Sequence, residues 1–237
     1  FLTAVQNRLD HLGSILYDRS RCPKCNHVLG FWDLFPILSY LFLGGRCRWC
    51  GKKISILYPL TELITVGLAL FVWYFYGLNF STFILFAALW VLLLAVIFDI
   101  KTQEVDDWVF AAAIALVVIW RGFNRSNADF FDLMLGGVIA TILPFCLAFF
   151  SREKWMGYGD SFFAFFLGAL CGFPAATVGL FAAFLLGSIF GIIVLIINGK
   201  KGLKIRVPFG PFLAMGSLIG LIWGTQIFDA YLKILGF

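Results

Sequence analysis

Asp99 and Asp160 are the residues of this sequence best suited to chemistry. Each stands beside a long apolar run in a chain with only 13 acidic residues. An ionised carboxylate at membrane depth costs at least a few kcal/mol, so each needs a partner or a purpose. Two carboxyl groups sharing a proton can split a peptide bond without a metal: the ionised one takes a proton from water while the protonated one polarises the scissile carbonyl. Asp160 closes the stretch Met156-Gly157-Tyr158-Gly159-Asp160, and Gly157 and Gly159 on either side of Tyr158 let backbone and a substrate strand come close. Simpler roles fit the same aspartates, as a helix N-cap, an interfacial charge, or, for Asp99, a partner of Lys101. Glu62 and Asp107 are further acids suited either to structural pairing or to substrate; Asp106 and Asp107 read most simply as the cap region of the next apolar span.

A second cluster precedes them. Cys22-Pro23-Lys24-Cys25 and Cys47-Arg48-Trp49-Cys50 form C-x2-C-x21-C-x2-C. Two-residue spacing lets a short turn aim both thiolates at one tetrahedral metal, so the pattern fits a four-cysteine zinc site. Four thiolates leave no open position for water, which makes such a zinc structural. Two disulfides or a redox pair fit the same spacing, less well in a reducing compartment. His27 reads as an ordinary polar histidine rather than a ligand, and Cys146 and Cys171, within apolar spans, as small buried residues.

The elements that must carry these groups are membrane helices. The 237-residue chain is 62% hydrophobic, has 29 Phe and has a mean hydropathy of +0.96, which excludes a soluble domain. Near-continuous apolar runs, rather than alternation, exclude an outer-membrane barrel. The expectation is an all-α polytopic membrane protein with about seven transmembrane helices, over 56–77, 80–98, 108–123, 129–150, 160–173, 175–198 and 208–231. Residues 1–55 form a separate segment around the cysteines, and 56–237 the membrane domain. The fifth span is short unless it starts near Trp155. Between the knuckles, Phe31-Trp32-Asp33-Leu34-Phe35-Pro36 reads as an aromatic loop at the membrane interface. The chain opens at Phe1 without methionine, and the expectation is that a further span lies upstream.

Charge fixes the orientation. With the cysteine segment inside, 15 of the 18 Lys and Arg fall on the inner side and only Arg121, Arg125 and Lys233 outside. By the positive-inside rule the cysteine segment is cytoplasmic. Asp99 ends one span and Asp160 begins another on that same side. The net charge of +5 is thus a topology signal, not a nucleic-acid footprint.

With these motifs in order, the sequence resembles the bacterial type IV prepilin peptidase family, the prepilin leader peptidase/N-methyltransferases. The resemblance runs from Arg21-Cys22-Pro23-Lys24-Cys25 and Trp32-Asp33-Leu34-Phe35-Pro36-Ile37-Leu38-Ser39-Tyr40 through Gly45–Ser55 and Tyr58-Pro59-Leu60-Thr61-Glu62. It continues in Phe98-Asp99, Gly157-Tyr158-Gly159-Asp160 and Pro208-Phe209-Gly210-Pro211-Phe212-Leu213-Ala214. Phe1–Val5 with Arg8-Leu9 resembles the segment after the family's first helix.

The resemblance implies an intramembrane aspartyl peptidase of the bacterial inner membrane. It would remove the short basic leader from type IV prepilins or pseudopilins on the cytoplasmic side. Asp99 and Asp160 take the positions of the catalytic aspartates, and Cys22, Cys25, Cys47 and Cys50 those of the metal ligands. It also implies methylation of the new N-terminal amine from S-adenosylmethionine, although no glycine-rich loop marks a pocket for that cofactor. Two positions depart from the family pattern: Phe162 stands where a lysine is usual, removing a cation near Asp160, and Asp106 where a proline is usual. The sequence leaves open the oligomeric state and the substrate served. Two other classes compete: a proton- or cation-coupled carrier, which would show inverted repeats, and a non-enzymatic zinc-ribbon scaffold of a pilus or secretion machine.

Overall fold

The computed structural model describes residues 21–22, 24–35, 38–103, 106–123, 130–199 and 207–236. The segment expected to follow an upstream span, residues 1–20, lies outside them, as does Arg125. Among the described residues every regular element is helical. The chain divides into two compact units, 1–77 and 78–237, so the first expected span groups with the cysteine segment rather than with the later helices.

In the first unit a 3-10 turn at Phe31–Leu34 and a short helix α1, Leu38–Phe42, lie between the cysteine pairs, and α2, Leu57–Tyr76, follows. The two pairs form matching knuckles. Cys22 N–H donates to His27 O (2.9 Å) and Asn26 N–H to Cys22 O (2.8 Å); Cys47 N–H donates to Lys52 O (2.9 Å) and Gly51 N–H to Cys47 O (3.0 Å). After each second cysteine the chain turns through a left-handed residue, Asn26 at φ 56° and Gly51 at φ 64°, residue types that tolerate that conformation. Isolated bridges Arg21–Val28 and Arg46–Lys53 close the knuckles.

The second unit holds α3, Phe80–Thr102; α4, Asp107–Phe123; α5, Phe130–Ser151; α6, Tyr158–Cys171; α7, Ala175–Asn198; and α8, Gly210–Leu235. Asn79 caps α3, its Oδ1 accepting Thr82 N–H at 2.9 Å. Five helices, α2, α3, α5, α7 and α8, are long and apolar enough to cross a membrane. The other two expected spans form shorter helices of 17 residues (α4) and 14 residues (α6), so among the described residues five helices, not seven, have the length and apolarity of a full span.

The short α6 has a physical explanation. Fourteen residues rise only about 21 Å, less than a hydrocarbon core, but α6 is the centre of this unit, in contact with α4, α5, α7 and α8. Its buried residues include Ser161, Phe163, Phe166, Leu167 and Leu170. A helix sheathed by protein need not match the lipid thickness. Glycines permit the close packing: a Cβ on Gly136 of α5 would lie 2.6 Å from Gly168 O on α6, and one on Gly179 of α7 would lie 2.7 Å from Gly216 O on α8. In lipid, such van der Waals contact rather than apolar burial drives helix association.

Beyond the C-terminal end of α6 the helices are clasped. Arg121 Nη2 donates to Leu170 O at 2.9 Å, Arg121 Nη1 lies 3.4 Å from Asp132 Oδ2, and Phe173 N–H donates to Asp132 Oδ1 at 3.0 Å. An expected outer-loop cation is thus a joint between α4, α5 and the α6–α7 turn.

Candidate active site and metal centre

Asp99 lies in the last turn of α3 rather than beyond its end, because the helix runs on to Thr102 and stops where Gln103 turns left-handed (φ 56°). That places the carboxyl group inside the packed unit, at 9% exposure. One of its oxygens, Oδ2, accepts the N–H of Gly210, the first residue of α8, at 2.9 Å in a buried bond. Lys101, two residues on, forms no ion pair with it among the described residues.

Asp160 is the third residue of α6. Its Oδ2 accepts the N–H of Gly157 at 3.2 Å, so Gly157 acts as the N-cap and Tyr158 and Gly159 belong to the first helical turn. Asp160 is half-buried, and it lies near enough to Asp99 for the charge of one to act on the other. The two acids, 61 residues apart in sequence, thus sit on helices α3 and α6, both of which pack against α8.

Aromatic rings wall the pair. Phe163 is buried, meets Phe110 of α4 edge-on at 4.8 Å and lies against Gly210. Phe162, in the position where the family resemblance implies a lysine, stacks on Phe110 at 5.6 Å. Ser161 carries a buried hydroxyl oxygen with no hydrogen-bond partner among the described residues. Beside the turn, an open cavity of about 540 Å³ is lined by Phe149, Phe150, Arg152, Glu153 and Tyr158.

The remaining acids are placed less centrally. Asp107 is the exposed first residue of α4, and Asp106 O accepts Val109 N–H at 3.0 Å, an arrangement of helix capping. Glu62 is half-buried on α2, in the first unit.

The sulfur atoms of Cys22, Cys25, Cys47 and Cys50 all lie within 4.8 Å of one another, and none is disulfide-bonded. Zn–S bonds of about 2.3 Å in a tetrahedron place the sulfurs about 3.8 Å apart, so the four thiols fit a metal ion with little movement. Burial opposes ionisation of Cys22, but the backbone at Lys24 and Cys25 and the sulfurs of Cys25 and Cys47 outweigh it and bring its pKa down to about 7. His27 stays outside the cluster: its ring stacks on Trp49 at 3.9 Å.

Asp33 was not singled out by the sequence. Its Oδ2 accepts Gly30 N–H at 3.0 Å and its Oδ1 lies 3.3 Å from Arg48 Nη2, with the carboxylate side chain only 6% exposed. It ties the aromatic loop to the second knuckle. Gly210 was also missed as a partner of Asp99; the only trace in sequence is a glycine set between Pro208 and Pro211.

Two family patterns match the chain: residues 1–76 fit the bacterial peptidase A24 N-terminal domain, and residues 85–192 the type IV leader peptidase family. Among similar proteins, the prepilin leader peptidase/N-methyltransferase of Pseudomonas aeruginosa is 31% identical over 94% of this chain and 78% of its own length. Proteins of the same description from Aeromonas salmonicida, 32% identical over 94% of this chain and 78% of theirs, and Legionella pneumophila, 32% identical over 92% and 77%, are similarly close. No solved structure matches.

Proposed function

Because this chain belongs to the type IV leader peptidase family, we propose that it cleaves the leader from type IV prepilins or pseudopilins with Asp99 and Asp160 as the catalytic pair. The observation that supports the assignment is that Asp99, bonded to the first residue of α8, and Asp160, on a helix packed against α8, lie near enough for the charge of one to act on the other. A water held between them loses a proton to the ionised carboxylate as its oxygen attacks the scissile carbonyl carbon. The protonated carboxyl group gives its hydrogen bond, then its proton, to the carbonyl oxygen. The tetrahedral diol collapses, breaking the C–N bond as a proton passes to the leaving amine. Because both acids serve each step, the pair acts as one device.

Gly157, Tyr158 and Gly159, the cap and first turn of α6, form the surface against which the substrate backbone lies. The reaction is assigned to the cytoplasmic side of a bacterial inner membrane, a reading supported by the concentration of Lys and Arg in the loops on one side of the chain. Zinc is the metal that best suits Cys22, Cys25, Cys47 and Cys50, as a structural staple between knuckles too small to hold a core of their own. Methyl transfer is carried by the names of the relatives.

The test is cleavage of a type IV prepilin by purified Asp99→Asn and Asp160→Asn variants, read by mass spectrometry. Each loses cleavage, and the double variant is scarcely worse than either single one. Normal processing by either single variant would remove that residue from the reaction.

A further inference from the structure

We propose that Gly210 is a positioning residue for the peptidase reaction: its backbone N–H, at the start of α8, fixes the carboxyl group of Asp99. The inference rests on the reading of Asp99 and Asp160 as the catalytic pair.

The first N–H groups of any helix have no partner within the helix. In α8 that donor is spent on Asp99 Oδ2, 2.9 Å away and 111 residues distant in sequence. Pro211 follows directly, in the first turn of α8. It brings no N–H of its own and a preset φ, which aims the preceding turn without competing for the carboxylate. One oxygen of Asp99 is thereby committed to the start of α8.

No side chain fits at this position. A Cβ on residue 210 would stand 2.6 Å from Asp99 Oδ2 and 2.8 Å from the ring of Phe163. Phe163 is itself held by Phe110 and lies one helical turn after Asp160. The same glycine therefore sits against Asp99 and against the helix carrying the other acid. The contrast with Asp160 is informative. That carboxylate is held by Gly157 of its own turn and would keep its place wherever α8 stood. Asp99 would not. The spacing of the pair therefore depends on how the start of α8 is seated, far along the chain from either acid.

The cleanest perturbation replaces Gly210 by glycolic acid during cell-free synthesis into nanodiscs, turning one amide into an ester. This deletes the N–H and adds no atoms. With a type IV prepilin as substrate, the expected loss in kcat is on the order of tenfold to a hundredfold, the worth of a hydrogen bond to a charged group. KM and the melting temperature stay near those of the parent, a split that a general packing role would not produce. A kcat within about twofold of the parent, or a loss confined to KM, overturns the proposal. A second arm compares Gly210→Ala/Phe163→Leu with Phe163→Leu alone. The smaller side chain relieves the ring clash but not the contact with Asp99, so folding recovers and turnover does not. Recovery of turnover to the Phe163→Leu level would mean that Gly210 merely makes room for a ring. Asp99→Asn runs in parallel. If it is inactive while the ester is fully active, only the role of Gly210 falls; if it cleaves normally, the catalytic pair falls and the role of Gly210 with it.

Discussion

Gly159→Ala separates folding from substrate contact at the proposed site. Gly159 is the second residue of α6, and a Cβ built there meets nothing within 4 Å. Within the protein the substitution is therefore free of clashes. It should stabilise the first turn by about 0.5–1 kcal/mol, because alanine loses less backbone entropy than glycine in a helix. For a chain of this size that corresponds to a rise in melting temperature of about 1–4 °C. Activity should move the opposite way. If a peptide backbone lies against the Gly157–Asp160 turn, the new methyl group intrudes on it, and overpacking of this kind costs about 1–3 kcal/mol. The matching loss in kcat/KM is roughly fivefold to a hundredfold. The assay pairs a thermal melt in detergent with prepilin cleavage followed by mass spectrometry. A variant at least as stable as the parent and fully active would refute substrate contact at Gly159. A variant that melts earlier would refute the open space around it.

The opposite result is expected at Gly168→Ala, where the added methyl meets the backbone of Gly136 and Gly137. Neither can yield, so α5 and α6 must part, with a drop of about 3 kcal/mol measurable by thermal or denaturant melting. Arg121→Ala leaves Asp132 partly buried beside an open carbonyl at Leu170. A loss of roughly 2 kcal/mol in the same melt is expected, discounted for the partial exposure of Asp132. Purified protein should hold about one zinc per chain, a stoichiometry read by metal analysis. Because protons compete for the thiolates, zinc release into a chromogenic chelator should increase as pH falls and be suppressed as it rises. Asp33→Asn keeps the shape of the carboxylate but removes the charge facing Arg48. It should speed that release, whereas an unchanged rate would show that Asp33 does not brace the second knuckle.

Features governed by neighbours in the chain were legible from the sequence. The helices follow from the length of the apolar runs, since a backbone in lipid must satisfy its own hydrogen bonds. The knuckles follow from two-residue cysteine spacing, whereas α6 begins two residues before Asp160, with Gly157 and not the aspartate at the N-cap. Two acids at the ends of apolar runs were enough to nominate a dyad. The tertiary structure decided the rest. It made 14-residue α6 the centre of its unit, an arrangement set by glycine contacts between helices that no local period encodes. It carried α3 on to Thr102 and so drew Asp99 inside. It supplied Asp33 and Arg121 with partners that reach across connections. It also brought the N–H of Gly210 to Asp99, 111 residues away. Hydropathy and spacing record what each segment needs from its solvent, whereas which helix end faces which carboxylate is settled only when all the helices pack at once.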